Sequence, residues 1–155
     1  MKKYLLLLSA LIIGISSCKK DSPSFNAAAQ AATDDGLIKA YITANNINAT
    51  KDASGLYYSV VTPGTGAYPT ASSTVSVNYS GKLLNGSVFS PLSNLTSPLS
   101  GLIKGWQIGI PHINDGGRIL LIIPSGLAYG NSSPAASIPA NSVLVFTIDL
   151  ISFTN

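Results

Sequence analysis

The residue pattern predicts an α+β domain: a curved antiparallel β-sheet wrapped on one short α-helix, with another short helix ahead of it. Three observations carry this expectation. From Gly55 onward apolar and polar residues alternate at a period of two, as in strands that bury one face. Turn residues punctuate these runs, above all Asn85-Gly86, a pair that favours tight hairpins. A single segment of helical character, Lys104–Ile110, is followed by Pro111, which disfavours the α conformation of the residue before it. A sheet closed over one helix is a two-layer arrangement that such an inventory can build.

The 155-residue chain has room for one such domain plus an extension. Lys2 and Lys3 precede a run from Tyr4 to Ile15 in which only Ser9 is polar. This charged start and short apolar run read as a signal peptide over residues 1–17, because the run is too short to span a bilayer as a helix. The single cysteine, Cys18, follows Ile15-Ser16-Ser17. Small residues before a cysteine resemble a bacterial lipoprotein signal, whose cysteine becomes the lipidated first residue. The rival reading is ordinary cleavage nearby, leaving a free thiol, for which an otherwise cysteine-free exported chain has no evident use. Lipid on Cys18 would anchor the domain to a membrane of the bacterial cell envelope without inserting it, with Lys19 and Lys20 beside the head groups.

Residues 18–33 are polar and then Ala-rich and read as a tether. Thr33, Asp34 and Asp35 offer N-cap chemistry, and Leu37, Ile38, Tyr41 and Ile42 share a helical face, so Asp35–Asn45 is expected to be a short amphipathic helix. Three turns alone are marginal, so that face is expected to pack on the domain, with a dimer interface as the alternative. The segment 34–54 is then this helix and a polar link. The main domain, 55–155, opens with a strand over Leu56–Thr62 and a Pro63-Gly64 turn. A second strand covers Thr74–Lys82, and Asn85-Gly86 leads into a third through Phe89. Pro91–Leu99 reads as a loop, Arg118–Ile123 as a strand buried on both faces, Asn131–Asn141 as a loop and Val143–Phe153 as the last strand.

Composition excludes several function classes. Lys2 and Lys3 supply two of the nine basic side chains. From Gly55 onward the charged residues are Lys82, Lys104, Asp115, Arg118 and Asp149, too few for a nucleic-acid surface. One His, one Cys and six acidic residues give no metal-ligand pattern, and no cofactor is implied. His112 stands without a serine of nucleophile-elbow context, and Asp115 suits a turn. Hydrolysis finds no machinery here.

The segment Leu102–Trp106, the run Gly116–Pro124, and Ala128-Tyr129-Gly130 together resemble the FKBP family of peptidyl-prolyl cis-trans isomerases. Upstream, Gly55-Leu56 with Pro63–Gly66, then Val77–Gly81 and Gly86–Phe89, match the same family in order, and the resemblance runs from about Gly55 to Phe153. It implies an FKBP-like fold and a pocket for proline-containing polypeptides. Trp106 would be the floor under the proline ring, with Tyr79, Phe89 and Phe146 as walls. Ile103 would add a backbone N–H, Tyr129 a hydroxyl for a substrate carbonyl, and Leu102 and Ile138 the rim. Macrolide immunosuppressant-type ligands would share this site. Taken singly, Tyr79, Trp106 and Phe146 also suit a plain core, and Tyr129 an ordinary loop.

Departures from the family pattern bear on activity. Ser90 stands where an aspartate is usual, Leu95 at an aromatic wall position, and Pro134 and Ser137 where a His and an Ile flank the mouth. They predict weaker turnover and weaker macrolide binding than in the strongest members. The expected function is prolyl isomerisation assisting exported or envelope proteins. Its rivals are a non-catalytic peptide-binding or chaperone module and a structural surface lipoprotein.

Overall fold

The computed structural model describes residues 25–155; the expected signal peptide, Cys18 and the first part of the expected tether lie outside them. Helix α1 spans Ala27–Ala44. It is followed by β1 (Thr50–Lys51), β2 (Tyr57–Thr62), β3 (Thr74–Leu83), β4 (Val88–Pro98), α2 (Lys104–Gly109), β5 (Arg118–Ile123) and β6 (Leu144–Thr154). The strands form one six-stranded sheet in the order β1-β2-β5-β6-β3-β4, every pair antiparallel. The expected class, a sheet on one short helix with a helix before it, is the one observed.

Period-two alternation sorts the strand residues to two cores. Ile119, Leu121 and Ile123 of β5 join Leu144, Phe146, Ile148 and Leu150 of β6 and Val75 and Val77 of β3 around Trp106 and Ile110. Ile122 of β5 and Val145 of β6 face the other way, with Tyr57 and Val143, and meet Ile38 of α1. β5 therefore buries both faces, one under each helix. Fully burying each such aliphatic side chain contributes roughly 1.5–3 kcal/mol.

Four details differ from the sequence expectations. α1 begins eight residues before Asp35, because Asn26 caps it by accepting a 3.0 Å bond from Ala29 N–H and the alanines that looked like tether are strong helix formers. Its apolar face is narrower than expected: Ile38 is fully buried, whereas Leu37 is half exposed. Pro111 does not redirect the chain at Ile110, which keeps φ −62° and ψ −35°. Instead the α-helix tightens into a 3-10 turn over Ile110–His112, whose first turn needs no N–H from proline.

The fourth difference concerns Pro91–Leu99. All but the last of these residues belong to β4, an edge strand paired along β3. Its pairing shifts twice: Tyr79 faces Ser93, Gly81 faces Ser90 and Lys82 faces Val88. Each shift inserts an extra residue in β4, a bulge. Proline is tolerated at bulges and on edges because no ladder donor is required there. The Ser/Asn/Pro composition that reads as loop is the composition of an interrupted edge strand.

α1 is also tied down by charge. Asp35 accepts hydrogen bonds from Lys39 at 2.7 Å, from Lys51 at 2.5 Å and from the Tyr57 hydroxyl at 2.7 Å. These three donors, Lys39 foremost, hold its carboxyl far below the usual carboxylate range. The bidentate Arg118 pair, 2.5 and 2.8 Å, lowers Asp149 in the same direction. A depressed folded-state pKa means that the unfolded chain binds the proton first, so stability rises with pH through this window. The contribution is complete above about pH 4 and is lost as pH falls toward the depressed folded values. The thermal midpoint is therefore expected to hold from pH 7 to pH 5 and to fall below pH 4. A midpoint unchanged at pH 2.5 would contradict this account.

Candidate functional site

The site is built on α2. Its glycines let it lie against β5: a Cβ on Gly105 would overlap Ile123, and one on Gly109 would overlap Leu121. Between them Trp106 is 4% exposed and forms the floor of a cleft of about 370 Å³. The chain entering α2 is braced by Gln107, whose Nε2 donates to Leu102 O at 2.7 Å and Ser100 O at 3.1 Å. That bracing places Gly101, Leu102 and Ile103 on one side of the cleft.

The opposite walls come from the sheet. Tyr79 of β3 meets Trp106 edge-on, with ring centroids 5.0 Å apart at 79°. Phe146 of β6 does the same at 5.2 Å and 88°, and Phe89 of β4 packs on Phe146 at 5.5 Å and 77°. Edge-to-face contacts of this kind add about 0.5–1.5 kcal/mol each beyond area burial, so the four rings brace one another. In a regular strand Phe89 and Ser90 would face opposite sides. Both line the cleft, because the two bulges of β4 bracket Ser90 and re-aim successive side chains.

Tyr129, 39% exposed, reaches the cleft from the turn after β5, and Ile138, 8% exposed, from the long loop before β6. The nine pocket residues named from the sequence, Tyr79, Phe89, Ser90, Leu102, Ile103, Trp106, Tyr129, Ile138 and Phe146, thus stand around one cavity, joined by Leu95 and Gly101. Pro134 and Ser137 do not line it; both are exposed on the outer part of their loop. His112 is also outside, stacked on Tyr58 at 4.1 Å and 9°. Gly81 stands in the sequence only as the end of the Val77–Gly81 match, yet it helps decide the shape of the cleft: a Cβ there would collide with the Phe89 and Phe146 rings.

Among the described residues no charged side chain lines the cleft. Its polar groups are the hydroxyls of Tyr79, Tyr129 and Ser90, the last with only a long 3.4 Å contact to Pro91 O. The Trp106 indole N–H is buried without a protein acceptor. Among the described residues no three His, Cys, Asp or Glu side chains gather in a metal-binding group. Such a cavity desolvates a guest and hydrogen-bonds it at few points; it holds no general base and no nucleophile.

Comparison with known proteins agrees with this geometry. The family model described as FKBP-type peptidyl-prolyl cis-trans isomerase matches residues 66–151. The chain belongs to this family. It is 44% identical over 103 residues to the FKBP-type peptidyl-prolyl cis-trans isomerase FkpA of Escherichia coli K12, covering 64% of this chain and 38% of that protein. It is 38% identical over 120 residues to the peptidyl-prolyl cis-trans isomerase Mip of Coxiella burnetii, covering 74% of this chain and 52% of that one. The FKBP domain here thus spans about half or less of the length of these relatives. Among solved structures, that of FkpA from Escherichia coli aligns with TM-score 0.69 and 36% identity, over 82% of this chain and 62% of the other. A peptidyl-prolyl cis-trans isomerase from Pseudomonas syringae aligns with TM-score 0.72 and 28% identity, over 84% and 98%.

Proposed function

We propose that this FKBP protein is a peptidyl-prolyl cis-trans isomerase that binds X-Pro segments of unfolded polypeptides in the Trp106 cleft. The observation that carries the reading is the convergence of the four braced rings and the sparse polar rim on one open cavity. The barrier to rotation, about 18–20 kcal/mol, arises from amide resonance, and uncatalysed exchange takes tens to hundreds of seconds. A twisted amide has lost resonance and is less dipolar than the planar one, so an apolar cleft favours the transition state over the ground state. Acceleration by about ten-thousand-fold needs roughly 5.5 kcal/mol, within reach of desolvation, shape and a few hydrogen bonds.

In this reading Trp106 supports the proline ring, and Tyr79, Phe89 and Phe146 enclose it. Ile103, the residue that caps α2, presents a first-turn N–H to a substrate carbonyl, since such groups have no partner inside the helix. The Tyr129 hydroxyl takes the second carbonyl, Leu102 and Ile138 set the rim, and macrolide-type ligands compete for the same space. Ser90 replaces only part of what an aspartate would supply, which lowers turnover. Clients are exported or envelope proteins, with the domain anchored through lipid on Cys18. Among the described residues no helix is long and apolar enough to cross a membrane, and Cys18→Ser is expected to release the protein from the membrane fraction.

The test is cis-trans exchange on short Ala-X-Pro-Phe peptides, followed by NMR with the purified protein and its Ser90→Asp variant. Turnover above background that a macrolide abolishes is expected for both, and faster for Ser90→Asp by on the order of tenfold, about 1.4 kcal/mol. Ser90 in place of the usual aspartate, and Leu95 in place of an aromatic, favour one second reading, a peptide-binding module without turnover. Turnover by Ser90→Asp alone would select it, and no acceleration by either would remove the isomerase assignment.

A further inference from the structure

Asp34 lies outside the cleft, yet it is an acidic side chain only 1% exposed. Its Oδ1 accepts from Gln30 Nε2 at 2.7 Å. Its Oδ2 accepts both from Ser125 N at 2.8 Å and from Ser125 Oγ at 2.6 Å. Burying a carboxylate is costly unless it is fully hydrogen-bonded, and Ile38 already anchors α1 apolarly. The carboxylate fixes an orientation that apolar packing leaves free.

Ser125 opens the turn that carries Tyr129. Its carbonyl accepts from Ala128 N at 2.9 Å and from Gly130 N at 2.8 Å, the residues on either side of Tyr129. Pro124 O accepts from Leu127 N at 2.9 Å, and Gly130 O from Asn141 N at 2.7 Å. The Tyr129 side chain is partly exposed, so backbone anchoring decides where its ring stands. We propose that Asp34 is a positioning residue for Tyr129: through Ser125 it sets the turn that holds Tyr129 at the cleft, so the Asp34–Ser125 hydrogen bonds, and not the apolar packing of α1, couple this helix to peptide binding on the other side of the sheet. The inference rests on the role given to Tyr129 above.

The experiment is a double-mutant cycle on the full chain, reading kcat/KM and peptide Kd with an Ala-Leu-Pro-Phe peptide, together with hydrogen exchange at the Ala128 and Gly130 amides. Asp34→Ala leaves Ser125 without an acceptor and is expected to lower kcat/KM on the order of tenfold, as small misplacements of a contacting group do. Both amides should then exchange faster. Asp34→Asn, which keeps one acceptor for Ser125, restores most of the loss, and in a Tyr129→Phe background Asp34→Ala adds no further loss. Ser125→Ala, which deletes the hydroxyl alone, gives a smaller fall and serves if Asp34→Ala does not fold. Ile38→Ala loosens α1 but keeps the clamp, so it lowers stability without changing kcat/KM. Equal losses from Asp34→Ala with and without Tyr129, or unchanged amide exchange, overturn the clamp. A wild-type protein without turnover defeats the isomerase reading alone, because the exchange and Kd measurements still decide the clamp.

Discussion

Replacing Trp106 by alanine is expected to lower kcat/KM at least a hundredfold, a loss of about 2.7 kcal/mol of transition-state stabilisation. The residue is the floor of the cleft and braces both Tyr79 and Phe146 edge-on, so its removal admits water and frees two walls. Truncating a buried aromatic also costs about 3–5 kcal/mol of stability, so rates must be compared on protein shown to be folded at the assay temperature. Tyr79→Ala belongs to the same class, with a loss on the order of tenfold or more. His112→Ala is the control: its ring stacks on Tyr58 away from the cleft, and its activity should stay within about threefold of wild type, a difference below 1 kcal/mol. Equal losses in all three variants would show that the site has been misplaced.

Gly81→Ala is expected to damage the site without altering any group that lines it. The added Cβ would stand 2.6 Å from Phe89 Cζ and 2.8 Å from Phe146 Cε1, closer than carbon atoms pack. Phe146 is buried and has little room to retreat, so Phe89, only partly buried, must swing. Overpacking of this kind costs about 1–3 kcal/mol. The displaced ring should lower kcat/KM on the order of tenfold. A urea melt read beside the peptide exchange assay checks both, and wild-type values in both would mean that the Phe89 wall moves without consequence. Val88→Ala, on an exposed neighbouring side chain of β4, should leave both nearly unchanged.

Much of this molecule follows from local pattern. Alternation from Gly55 onward placed β2, β3 and β6, and β5 was legible as the uninterrupted apolar run Ile119–Ile123, which has a helix on each face. The pocket side chains were legible through the FKBP resemblance, whose motifs recur in order along the chain; taken singly, the same aromatics suit a plain core. Other features depend on contacts between distant segments. β4 is a strand because β3 supplies its partners, and pairing energy outweighs the loop-like preference of Pro91 and its serine neighbours. Asp34 looked like a cap because side-chain chemistry alone suits a helix end. Its partner Ser125 lies 91 residues away, and no local preference encodes a hydrogen bond across that separation. Periodicity and composition therefore carry the strands, the helices and the chemical character of the cleft, since these arise from each residue's own preference for water or core. The bulges, the room kept at Gly81 and the link from α1 to the Tyr129 turn exist only once the chain has closed on itself, because each is a relation between atoms that sequence order keeps apart.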